Sequence, residues 1–195
     1  MKKALLGVLA LALPCAAVAN PEGYTMDPYH TFTHFEIDHN GLSMMRGLFT
    51  RNSGKFVIDR AAKTGSAELT IESASISTGD NDKGARPRAR DEHLRTADFF
   101  NVAEFPRISF KSSGVKFAGD NPAEITGSLT MVGVTKPLTF KVDRWVCKDH
   151  PMSKKPICGG NASGTLKRSD FGMKYGLPNL GDDLELFLSF EAYKD

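Results

Sequence analysis

Leu184-Glu185-Leu186-Phe187-Leu188-Ser189-Phe190-Glu191 alternates apolar and polar residues almost without a break, and this alternation decides the fold class. Successive side chains of a β-strand point to opposite faces. Leu184, Leu186, Leu188 and Phe190 therefore share one apolar face, while Glu185, Ser189 and Glu191 meet water. The same period runs back through the chain. Leu138, Phe140 and Val142 alternate with Thr139, Lys141 and Asp143, and Ile125, Leu129 and Met131 repeat it around Gly127. Ile108 and Phe110 follow the rule, as do Ala67, Leu69 and Ile71 between Ser66, Glu68 and Thr70. Phe56 and Ile58 alternate ahead of Asp59. Thr31 to Asp38 is rich in Thr, Phe and Ile and ends at Asn40-Gly41, a turn signal. A segment around Arg46 to Thr50 and a glycine-weakened one from Gly160 to Gly172 bring the total to about eight strands.

Asp91 to Ala97 interrupts this pattern. Its helix formers and early acids predict a short helix within the long connection between Gly79 and Pro106. No repeat or linker divides the chain. The fold class is all-β, and eight antiparallel strands with one apolar face each make a sandwich or a closed barrel. A barrel of that size fills with side chains or holds one small ligand. Periodicity leaves both outcomes open.

The ends of the chain concern export. Lys2 and Lys3 precede a short apolar run from Ala4 to Leu13, and Ala17-Val18-Ala19 offers small residues for signal peptidase. Residues 4–19 fall short of the roughly twenty apolar residues of a membrane span and are broken by Gly7 and Pro14. A secretory signal over 1–19, cut after Ala19, is expected, leaving one domain over 20–195. That part holds 23 acidic residues against 23 basic ones once Lys2 and Lys3 are removed. It lacks the basic excess of a nucleic-acid binder. Cys147 and Cys158, in an oxidising compartment, predict a disulfide across a hairpin. Adding His150 would not complete a metal site, because a fourth ligand and zinc-like spacing are missing.

Catalytic signatures are sparse. His30 and His34 would lie roughly 13 Å apart on a strand, and His39 has the opposite parity, so the three do not converge on a metal. There is no nucleophile elbow or phosphate-cradling loop. Asp91, His93 and Asp98 are close in sequence and could do acid–base work, or simply fix the helix and its loop.

Larger stretches resemble a known family. Tyr24-x-x-Asp27-x-x-His30, Phe35, His39, Gly41-Leu42-Ser43, Arg46-Gly47-x-Phe49 and Ser75-Ile76-Ser77-Thr78-Gly79 resemble the start of YceI-like proteins. Arg90-Asp91-x-His93-Leu94-Arg95-x-x-Asp98-Phe99-Phe100, Phe105-Pro106, Gly127-x-Leu129-Thr130, Gly133-Val134-Thr135-Lys136-Pro137 and Arg168-Ser169-Asp170-Phe171-Gly172 continue the match in order. Thr31, where relatives commonly carry serine, and the Cys147–Cys158 loop are departures.

The resemblance implies an eight-stranded lipocalin-like barrel, periplasmic and often dimeric, that holds a long isoprenoid such as a polyprenyl or quinone-like molecule and does no chemistry on it. No other cofactor is implied. Phe56, Ile58, Leu69, Ile71, Ile108, Phe110, Ile125, Leu129, Leu138, Phe140, Leu186 and Leu188, which would otherwise be plain core, are then expected to line the cavity. His39, Arg46, Arg90 and His93 are the candidates for contacting a head group, with arginine suited to phosphate oxygens. The mouth could also touch a membrane surface transiently. The competing readings are an enzyme of isoprenoid or quinone metabolism built on His93 with Asp91 or Asp98, and a solid-cored stress-response scaffold.

Overall fold

Three strand positions of the barrel are each shared by two shorter strands laid end to end, and the breaks between them shape the interior. The computed structural model describes residues 20–195; the expected export signal and its cleavage point lie outside the described residues. The strands are β1 (Glu22–Met26), β2 (Phe32–His39), β3 (Ser43–Phe49), β4 (Asn52–Asp59), β5 (Thr64–Glu72), β6 (Ile76–Ser77), β7 (Arg107–Ala118), β8 (Asn121–Met131), β9 (Val134–Asp149), β10 (Pro156–Lys167) and β11 (Leu180–Lys194). All pairings are antiparallel.

β1 and β2 lie end to end along β11, with Tyr24 opposite Lys194 and Thr33 opposite Leu188. β4 and β3 run beside them in turn, Phe56 opposite Tyr24 and Gly47 opposite Phe35. β6 continues β5 in the same way, pairing with β3. Counted around the axis there are eight strand positions, and the ring β1-β4-β5-β7-β8-β9-β10-β11 closes on itself. The expected eight-stranded antiparallel barrel is what forms.

Local chemistry explains the breaks. Between β1 and β2, Pro28 brings no N–H, and Asp27 accepts the Tyr29 N–H through Oδ1 at 2.9 Å to make a turn. Between β3 and β4, buried Asn52 donates to the Phe49 carbonyl at 2.7 Å and accepts the Thr33 hydroxyl at 2.8 Å. The predicted turn after β2 has positive φ at both Asn40 (62°) and Gly41 (65°) and is closed by the Leu42 N–H on the His39 carbonyl, within a three-residue connection from His39 to Ser43.

Three details depart from the sequence reading. β1 carries too short an alternation to have been seen. The helix α1 covers Arg90–Leu94 rather than Asp91–Ala97. After Leu94 the amides of Arg95 and Thr96 bond three residues back, and Phe100 N–H returns to the Leu94 carbonyl, so the chain turns instead of continuing. The glycine-rich strand ends at Lys167, and Arg168–Phe171 forms a 3-10 turn closed by Gly172 at φ 85°.

Bulges matter as much as breaks. Between Asn161 and Ala162 the β9–β10 register slips by one residue. That slip reverses parity along β9, so Trp145 rather than Arg144 follows Phe140 into the interior. Similar shifts in the β7–β8 pair bring Val115 and Pro122 inward. Cys147 and Cys158 sit directly opposite each other on β9 and β10 and form the expected disulfide. His150 accepts the Met152 and Ser153 amides at the hairpin tip beyond them.

Candidate ligand-binding cavity

At the end of the barrel built from β2, β3 and β6, the sheet does not close. β7 begins at Arg107, level with the end of β5, so β6 has no strand on its outer edge among the described residues. The connection between Gly79 and Pro106 covers this opening with α1 and the Phe99-Phe100 pair. From the other side the loop between β10 and β11 folds over. Between them lies a cavity of about 240 Å³.

Its wall is almost wholly apolar: Phe35 and Ile37 from β2, Met45 from β3, Leu94, Phe99 and Phe100 from the covering connection, and Met173, Leu180 and Leu184 from the loop and start of β11. His39, Arg46 and Tyr175, exposed to solvent, mark its opening. Gly47 makes the floor of β3 thin enough for the Phe35 ring to lie across it. A Cβ there would stand 2.4 Å from Phe35 Cζ and 3.0 Å from Thr78 Cγ2.

Arg168 holds the loop side. It is 2% exposed, and its guanidinium donates to four carbonyls: Gly181 at 2.7 Å, Met173 and Tyr175 at 2.9 Å, and Leu180 at 3.1 Å. Burial pushes its pKa down, yet an arginine stays charged in a protein. Asp182, which accepts the Ser169 hydroxyl and amide, is the nearby carboxylate.

The covering connection is fastened by charge. Asp91 is 2% exposed and accepts both the amide (2.8 Å) and the hydroxyl of Thr78. Arg90 donates to the Thr78 hydroxyl at 2.7 Å and carbonyl at 3.2 Å and lies 4.0 Å from Asp80. Arg86 grips Asp80 with two bonds of 2.6 and 2.7 Å, which holds that carboxyl below its ordinary range. His93 meets Asp98 at 2.8 Å; that bond first, and Arg88 at 3.2 Å after it, keep Asp98 below its ordinary range too. The His93 ring also packs edge-on against Phe99 and Tyr175, with centroids 5.0 and 4.9 Å away.

All four residues proposed for head-group contact, His39, Arg46, Arg90 and His93, line this one cavity. Three of the four have a carboxylate near at hand, Arg46 through a 2.7 Å contact with Glu36. The apolar candidates are placed elsewhere. Phe56, Ile58, Leu69, Phe110, Ile125, Phe140 and Leu188 surround a second space of only about 40 Å³ in the closed half of the barrel. Ile71, Ile108, Leu129, Leu138 and Leu186 are buried and border neither space. Phe35, Ile37 and Leu184 belong to strands whose alternation was legible. Met173, Tyr175 and Leu180 come from an aperiodic loop, and no periodic signal could have found them.

Similarity to known proteins agrees with the barrel. A YceI-like domain matches residues 24–192. A UPF0312 protein of Pseudomonas aeruginosa (strain LESB58) is 37% identical over the full length of both chains, and Protein YceI of Escherichia coli O6:H1 is 35% identical over 98% of each. Among solved structures, the Campylobacter jejuni YCEI protein superposes with a TM-score of 0.66 at 26% identity, covering 81% of this chain and 90% of that one. BcnA of Burkholderia cenocepacia (TM-score 0.66, 22% identity, 85% and 98% covered) and a Saccharophagus degradans domain described as polyisoprenoid-binding (0.61, 16%, 88% and 98%) share the fold. A barrel with this covered end, this ordered set of motifs and these relatives belongs to the YceI-like family.

Proposed function

We propose that this protein is an exported binding protein that shelters the apolar chain of an isoprenoid-type lipid in the covered cavity, for transport, storage or sequestration, and performs no reaction on it. One observation carries the reading: a 240 Å³ space with an apolar wall opens to solvent at one end of an otherwise well-filled barrel. Such space costs packing energy unless something occupies it. The polyisoprenoid-binding description of the Saccharophagus relative points to the same ligand class.

The head group is uncharged. Arg46, Arg90 and His93 already face Glu36, Asp80 and Asp98. An incoming phosphate would have to displace those carboxylates or sit beside them, and like charges repel. Catalysis by His93 with Asp91 or Asp98 is disfavoured for a related reason. Asp91 is committed to Thr78 and Asp98 to His93 and Arg88, all within the covering connection.

Loading from a lipid surface fits the hairpin beside the opening. Leu42 is 84% exposed and Met44 49%, next to the cavity residues His39 and Met45. Organic extraction of the purified protein, with mass spectrometry, tests the proposal, together with titration by geraniol and by geranyl phosphate. Recovery of a lipophilic compound and tighter binding of the alcohol are expected. If repeated preparations carry no such compound and neither probe binds, the carrier reading is lost.

A further inference from the structure

We propose that Leu186, with Ile71 and Phe49, forms a floor that sets the length of chain this cavity accepts, at about ten carbons or two isoprene units. This rests on the binding reading above and sharpens it. Along β11, Leu184 borders the large cavity, Leu188 and Phe190 border the small one, and Leu186 stands between them touching neither space. A comparable order runs along the two split strand positions. From β5 to the residue after β6 it is Leu69 (small), then Ile71 and Ile76 touching neither, then Thr78 (large); from β3 to β4 it is Met45 (large), then Phe49 and Asn52 touching neither, then Phe56 (small).

Leu186, Ile71 and Phe49 are 9%, 4% and 5% exposed. Leu186 lies opposite Phe35 on β2 and opposite Gly164 on β10, so it spans from a wall residue of the cavity to a strand with no side chain to add. The Phe49 ring closes the other side, 6.1 Å from Phe35 and 5.4 Å from Phe100, both wall residues. Two spaces of about 240 and 40 Å³ are thus parted by buried side chains, and along β11 Leu186 alone stands between them.

Size follows from a simple scaling. An apolar cavity of roughly 150 Å³ takes benzene, six carbons, so a 240 Å³ cavity takes about ten. A longer isoprenoid then inserts its last two units and leaves the remainder outside. Beneath the floor the chain carries its own reporter. Trp145, its single tryptophan, borders the small space and packs on Phe56 and Phe190 with centroids 5.2 and 5.5 Å away.

The test titrates the full processed chain with geraniol, farnesol and geranylgeraniol, reading affinity by calorimetry and depth of entry by Trp145 emission. In the wild type, affinity is expected to level off after geraniol, within about threefold, with Trp145 emission unmoved. Leu186→Ala should bind farnesol at least about tenfold more tightly than the wild type does and should shift Trp145 emission. Ile71→Ala opens the same layer from another strand and should act in the same direction, which covers the case that Leu186→Ala does not fold. Wild-type affinity that climbs more than tenfold from geraniol to farnesol with a Trp145 shift would overturn the floor while leaving the binding reading intact. So would folded variants with wild-type length preference. Failure of all three alcohols to bind the wild type overturns the binding reading, and the floor with it.

Discussion

Replacing Arg168 by methionine keeps a long apolar stem and removes four hydrogen bonds at once. The carbonyls of Gly181, Met173, Tyr175 and Leu180 lose their shared donor, in a site where the arginine is 2% exposed. Hydrogen bonds to a charged group are worth about 1.5–3 kcal/mol each. Against them stands the several-kcal/mol cost of having buried the guanidinium, which the variant no longer bears. Some freed carbonyls also reach water, since Tyr175 is 47% exposed. A net loss of about 3 kcal/mol results, equivalent to roughly 6–12 °C in melting temperature for a domain of this size. The same loop supplies Met173, Tyr175 and Leu180 to the cavity wall, so geraniol affinity should fall by about tenfold. Arg168→Lys keeps the charge but not the planar fork, and should land between the two. Thermal and urea unfolding with calorimetric titration read all of this. If the methionine variant melts within about 2 °C of the wild type and binds geraniol equally well, the guanidinium is not what holds the loop.

Gly47→Ala puts a methyl 2.4 Å from Phe35 Cζ, and the ring has the cavity as its free direction. Geraniol affinity should drop by about tenfold, with a stability loss of about 1–3 kcal/mol from overpacking. The double variant Cys147→Ser/Cys158→Ser should lower stability by up to about 3 kcal/mol through loop entropy. It should leave geraniol affinity unchanged, because the bridge lies toward the small-cavity end, beside Trp145. Asp98 gives a pH test. Its carboxyl is held low first by the His93 bond and then by Arg88, so its contribution is present above the unfolded value near 3.9 and fades as pH falls through the lower folded value. The stability difference between wild type and Asp98→Asn should therefore hold at neutral pH and shrink below about pH 4, as urea titrations at successive pH values would show.

Fold class was legible because the barrel's inward face obeys period two over long runs. Leu184, Leu186, Leu188 and Phe190 point inward as the alternation requires, and so do Leu69 with Ile71 and Leu138 with Phe140. The reading weakened wherever a local irregularity changed parity. Trp145 is on the even-numbered strand face's opposite phase, and only the extra residue in the β9–β10 register turns it inward. The division of the interior was also hidden. Alternation says which side chains face the axis, not whether they meet across it. Leu186 and Leu188 carry the same signal, yet one lies in the dividing layer and the other borders a space. Tyr175 and Met173 depend on a loop held by Arg168, and a single buried arginine gives no periodic signature at all.

The cavity lies where the barrel is least regular, and the reason is geometric. Eight closed strands leave an interior that side chains can nearly fill, and the half built on β1, β4 and β5 does so around Phe56, Phe110, Phe140 and Phe190. In the other half, β6 stops after two residues and β7 has not begun, so a helix of one turn and two loops replace a strand pair. Loops cannot bring side chains to the axis at strand spacing. They can only lie over the opening, and this one lies over it with Leu94, Phe99 and Phe100 facing in. Hollow and cover thus have one cause. The covering connection is tied back to the barrel by Asp91 to Thr78 and by Arg95 to the carbonyls of Ala74 and Ile76, and Phe99 and Phe100 are buried in the core beneath it, so the cover is part of the packed fold.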